Sequence, residues 1–86
     1  MNHELSKHVQ QEMARRGIPL AVLESVLAAP AQKVPEHGDV VCYQSKMEIN
    51  QKMYLVRVMV NEKLRPPRVV TVYRTSKINK YWKATT

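Results

Sequence analysis

Breaking or gripping a phosphodiester without a metal ion takes a base, an acid and cations that hold the charge developing on the phosphate. Histidine, arginine, lysine and tyrosine supply all of these. The chain carries such groups at His8, at Arg57, at Arg74 through Lys77, and at Lys80 and Tyr81. Arg57 and Arg74 fall in apolar alternating runs that read as neighbouring strands. If those strands bring them to one face, two guanidiniums can hold a phosphate bidentately while His8 serves as base or acid. His8, Arg57 and Arg74 are therefore the candidate catalytic set. Lys77 and Lys80 would contact flanking phosphates, and Tyr81 would stack a base. Each residue also has a plainer reading. A helical histidine faces water, Arg57 pairs across the sheet with a carboxylate such as Glu48, Arg74 caps the last strand, and terminal lysines form a solvated face.

Other chemistries find little support. His3, His8, His37 and Cys42 have no zinc-type spacing, and Gly17 and Gly38, the only glycines, make no phosphate-cradling loop. Cys42 sits inside a strand pattern, where a thiol is a small hydrophobe. No metal and no cofactor is expected.

The elements that must position these residues follow from periodicity. Leu5, Val9 and Met13 recur every fourth residue, predicting a helix over Leu5–Arg16, capped by Ser6 or Asn2 and stopped by Gly17, with Ile18 folding back onto Met13. Pro19 opens a second helix with the stripe Val22, Leu23, Val26 and Leu27, and Pro30 ends it. The brief link implies a hairpin of two packed helices. Residues 31–38 read as a polar loop punctuated by Pro35 and Gly38.

Alternation then predicts three strands, 39–49, 53–60 and 68–75, the first two joined by a turn at Asn50–Lys52. In the third, Val69, Thr71, Tyr73 and Thr75 oppose Val70, Val72 and Arg74. Beyond Thr75, Ile78, Tyr81 and Trp82 share one face of a short helical turn capped by Ser76. The expected fold class is α+β: a two-helix hairpin packed on a three-stranded antiparallel meander, with a C-terminal helical turn. Its core would comprise Val9, Met13, Ile18, Leu23, Val26, Leu27, Val41, Tyr43, Val56, Val58, Val70, Val72 and Trp82.

At 86 residues and 44% hydrophobic, the chain suits one domain spanning residues 1–86. A single cysteine rules out an internal disulfide, and the lack of a charged-then-apolar leader or a long apolar run argues against secretion and membrane insertion, so the cytoplasm is expected. A net charge of +7 and a pI near 9.9 give the molecule an attractive field for polyanions, of which RNA or DNA is the obvious one.

Four segments add a resemblance: KH at Lys7–His8, RRGI at Arg15–Ile18, YLVRV at Tyr54–Val58 and TVYRTSKINKYW at Thr71–Trp82. Together they resemble the bacterial domain-of-unknown-function family numbered 4258, the last being the most specific. That family is similar to the RelE and ParE toxin group and to barnase-like ribonucleases, in which paired helices pack on an antiparallel sheet and many members cleave RNA. The resemblance implies His8, Arg16, Arg57 and Arg74 as motif positions, supported by Thr71, Tyr73 and Thr75, and so adds Arg16 to the RNA-binding candidates. The functional expectation is an RNA-interacting domain acting as a metal-independent endoribonuclease. The alternatives are a non-catalytic nucleic-acid-binding module, and an inactive toxin-like domain that docks an acidic protein such as an antitoxin.

Overall fold

The computed structural model describes residues 3–84. The chain runs β1 (Glu4–Leu5), α1 (Lys7–Arg15), α2 (Leu20–Ala28), β2 (Gln32–His37), β3 (Val40–Ile49), β4 (Lys52–Asn61), β5 (Arg68–Thr75) and α3 (Ile78–Tyr81). The strands form one mixed sheet in the order β1-β5-β4-β3-β2; β1 is parallel to β5 and the other pairs are antiparallel.

Local chemistry sets the ends of α1. Ser6 Oγ accepts the Val9 N–H at 3.1 Å, satisfying a donor of the first turn. At the other end Gly17 adopts φ +66°, and Ile18 N–H turns back to Met13 O at 2.9 Å. That left-handed step brings Ile18 over the helix into the core. Helix α1 lies along β5, while α2 lies across β3 and β4. Between helices and sheet sits the core: Val9, Met13, Ile18, Leu23, Val26 and Leu27 against Tyr43, Ile49, Val56, Val58, Val60, Val69 and Val72. Asn50 and Gln51, both at positive φ, make the tight turn between β3 and β4, with the backbone twist such hairpins favour.

The class is α+β, but the sheet is larger than the expected meander. Residues 31–38 are not a loop: Gln32–His37 pairs with β3 as an edge strand. With Val34 its one ordinary apolar residue and Pro35 in its middle, β2 looks like a loop in sequence, yet an edge strand tolerates a proline that a central strand would not. Leu5 lies in β1 and not in the first helix. The helices lie side by side on the sheet and not as a pair packed chiefly on each other.

One core assignment reverses. Thr71 faces Met59 but Val69 faces Val60, a one-residue shift in the β4–β5 ladder. The extra residue, Val70, is turned out to 45% exposure, while Val69 is buried at 1%. Val41 and Trp82 are half-buried. No described helix is long and apolar enough to cross a membrane.

Candidate functional site

Register separates the two arginines that the catalytic reading needs together. Arg57 is opposite Tyr73, whereas Arg74 is opposite Val56. Since side chains alternate across a strand, Arg74 shares the helix-covered face with Val56, and Arg57 lies with Tyr73 on the other. They cannot clamp one phosphate.

Arg57 is 6% exposed, and each of its three guanidinium nitrogens donates a hydrogen bond. Its Nε donates to Gln44 Oε1 at 2.8 Å, Nη1 to Tyr73 Oη at 2.5 Å and Nη2 to Glu36 Oε1 at 3.1 Å. The guanidinium carbon lies 5.7 Å from the centroid of the Tyr73 ring and 4.6 Å from that of Tyr81. Burial opposes its charge, but the Tyr73 hydrogen bond and the fields of Cys42, Tyr73 and Glu36 outweigh that, raising the pKa above the ordinary arginine value. Its carboxylate partner is Glu36 of β2, not Glu48. Because arginine can only donate, the Gln44 oxygen must face it, which turns the Gln44 amide nitrogen outward. That nitrogen donates to Gln32 Oε1 at 2.7 Å and to Tyr81 O at 3.2 Å. Arg57 thus orients a row of amides beneath the C-terminal segment.

That segment, α3 with Trp82 and Lys83, crosses the second face from β5 to β2. Lys46 Nζ stands 4.3 Å from the Trp82 ring centroid, and Gln32 bonds the Lys83 main chain. Leu55 and Cys42, whose side chains point to this face, are completely buried, and burial pushes the Cys42 thiol pKa up, as expected for an unreactive cysteine. Lys77 and Lys80 are exposed on the segment; Lys80 Nζ is 5.3 Å from the Tyr81 ring centroid. Tyr81 is half-buried, its ring edge-to-face with Tyr73.

Arg74 sits at the opposite surface, where α1 ends. Its guanidinium carbon lies 4.4 Å from the Tyr54 ring centroid, with Lys52 Nζ 5.5 Å from the same ring. Among the described residues Arg74 has no hydrogen bond from its side chain and no carboxylate partner. Gly17 leaves it room: a Cβ there would come within 3.3 Å of Arg74 Nη2. Arg16, next along the chain, donates from Nη1 to Val72 O at 2.8 Å and pairs through Nη2 with Glu12 at 3.0 Å. Arg16 and Arg74 are therefore brought to one rim with Lys52. His8 is exposed on α1, eight residues from Arg16 and so about 12 Å up the helix axis.

Arg16 and Arg57, one from each site, lie in the RRGI and YLVRV segments, and a family model matches the chain over residues 5–74. The chain belongs to the family described as Domain of unknown function (DUF4258). The DUF4258 match ends at Arg74, before the segment that covers the second face. No curated protein matches the chain, and no solved structure does.

Sequence reasoning missed Tyr54 and Lys52 as companions of Arg74, and Gln32, Gln44 and Glu36 as companions of Arg57. Tyr54 could have been found by carrying the face alternation of β4 across to β5. The partners in β2 could not, because that mostly polar strand, with Pro35 in it, reads as a loop. No group of three or more His, Cys, Asp or Glu among the described residues is placed to hold a metal.

A further polar cluster lies where β2, β3 and the end of β4 meet. Tyr43 Oη donates to Glu62, Lys33 Nζ reaches Glu62 Oε2 at 3.4 Å, and the His3 ring meets Tyr43 edge-on. The Tyr43 hydrogen bond, assisted by Lys33, holds the Glu62 carboxyl below its ordinary pKa, while burial, first, and Glu62, second, push the Tyr43 phenol up.

Proposed function

We propose that this DUF4258 domain is an RNA-interacting module whose contact surface is the rim formed by Arg74, Lys52 and Arg16. The observation that carries this reading is Arg74. It is a half-buried guanidinium held over Tyr54, free of any carboxylate among the described residues, on a chain of net charge +7. A cation–π contact with the ring holds the cation without using its N–H donors, which stay available for a phosphate. Arg16 is partly committed to Glu12 and Val72, so Arg74 and Lys52 are the stronger contacts. Lys77 and Lys80, exposed on the tail, extend the positive field around the molecule.

The geometry supports binding better than cleavage. His8 stands about two helical turns from Arg16, and Arg57 is occupied in orienting amides. The likeness to RelE, ParE and barnase-like enzymes rests on the four sequence segments, and it keeps endoribonuclease activity as the outcome to be tested against.

The experiment is incubation of fluorescently labelled single-stranded RNA with the protein in EDTA at low salt. Anisotropy should report binding, with RNA of unchanged length on a denaturing gel, and Arg74→Ala should weaken it by about tenfold, the scale of one charge-assisted contact. Shortened RNA, with activity lost at least ~100-fold in His8→Ala at unchanged stability, would instead establish the endoribonuclease. Absence of RNA affinity would overturn both and leave the acidic-protein partner.

A further inference from the structure

The second sheet face recognises the main chain of the segment lying on it. Gln32 Nε2 donates to Lys83 O at 2.6 Å and Gln32 Oε1 accepts from Lys83 N–H at 3.2 Å. A side-chain amide thereby reproduces the paired donor and acceptor exchange of an antiparallel ladder. Gln44 Nε2 adds a bond to Tyr81 O at 3.2 Å. The order of donors and acceptors is imposed from below. Arg57 fixes Gln44, Gln44 fixes Gln32, and Gln32 then presents its nitrogen to a carbonyl and its oxygen to an N–H. Arg57 and Tyr73 take the Tyr81 ring, and Lys46 takes the Trp82 ring.

Every one of these contacts is to a backbone group or an aromatic face, so the surface is complementary to a peptide segment carrying two adjacent aromatic rings. Its floor, Gln32, Gln44, Lys46, Arg57 and Tyr73, lies within the part of the chain that matches the family, and its occupant lies outside it. The occupant is joined to β5 only through exposed Ser76 and Lys77.

We propose that this face is a peptide-docking site for the Ile78–Lys83 segment that accepts it from a second copy of the chain as well as from its own, giving a dimer by reciprocal tail exchange. A second copy is the fitting occupant because its tail presents the same rings and amides in the same order. Exchange replaces each contact by an identical one, so only the loss of effective concentration opposes it. The exchanged dimer forms in a concentration-dependent way and is favoured when the link to β5 is too short to let the tail fold back.

The test is the full chain with Ser76 and Lys77 deleted, examined by size-exclusion chromatography with light scattering and by Trp82 fluorescence. The expected result is a dimer whose Trp82 emission matches that of the unaltered protein. Adding Gln32→Ala to the deletion should weaken the dimer at least ~10-fold, the scale of its two lost hydrogen bonds. A monomer with solvent-type Trp82 emission, or a dimer indifferent to Gln32→Ala, overturns the proposal. If the deletion prevents folding, the unaltered protein decides. An equimolar mixture of isotope-labelled and unlabelled chains, incubated concentrated, should show isotope-filtered contacts from the Trp82 ring of one copy to the Lys46 side chain of another. Their absence overturns the proposal.

Discussion

Arg57 is the residue on which the catalytic and structural readings diverge most. In sequence it was conspicuous as the one charge in an apolar strand, but its meaning depended on partners from β2, an element hidden by Pro35 and by its lack of apolar alternation. With Glu36 of β2 in place beside Gln44 of β3 and Tyr73 of β5, it is a buried donor to all three. Arg57→Ala should cost about 2–4 kcal/mol in urea unfolding, because the buried Gln44, the half-buried Tyr73 and a carboxylate lose their donor. Where the variant remains folded, its RNA affinity should match that of the unaltered protein; a loss of RNA binding or cleavage at unchanged stability would return Arg57 to a direct role.

Glu62 supplies a pH signature at the same scale. Its folded-state pKa is depressed, first by the Tyr43 hydrogen bond, so the stability it contributes is present above the unfolded carboxyl pKa of about 4.3 and lost as pH falls through the lower folded value. The melting temperature should drop across that acid window, and Tyr43→Phe should flatten the drop. An identical acid limb in Tyr43→Phe would contradict the assignment.

At the scale of elements, the helices and the three longest strands were legible because their apolar residues recur with clean periods of 3.6 or 2. What escaped was either short or aperiodic: β1 has two residues, and β2 is mostly polar. The shift in the β4–β5 ladder, which exchanges Val69 for Val70 in the core, is a pairing property that no single strand displays. The tail shows the converse. Spacing of Ile78, Tyr81 and Trp82 indicated docking, and the segment does cover the sheet, though on the face away from α1 and α2. Removing residues 78–86 should destabilise the domain by about 2–4 kcal/mol, since it strips the half-buried Trp82 and Tyr81 and uncovers Leu55. An unchanged midpoint in thermal unfolding would show the tail to be loosely held. On the other face of β5, Gly17→Ala should cost about 1 kcal/mol, set by the left-handed backbone more than by the flexible Arg74 tip.

At the scale of the whole molecule, net charge indicated a polyanion from the outset, but its distribution required the fold. One arginine is sealed beneath the tail, another is partly neutralised by Glu12, and Arg74 stands over the Tyr54 ring at the rim with Lys52. The alternation of strand faces, legible in each strand separately, separates Arg57 from Arg74 once the register is fixed. The proposed RNA contact therefore rests on Arg74 as a phosphate ligand. The measurement that tests it most directly is the salt dependence of single-stranded RNA binding, compared between the unaltered protein and Arg74→Ala. Two to three phosphate contacts predict a slope of log K against log salt of about −1.4 to −2.1, and loss of Arg74 should reduce its magnitude by about 0.7. Identical slopes and affinities for the two proteins, or no binding at the lowest salt, would contradict it.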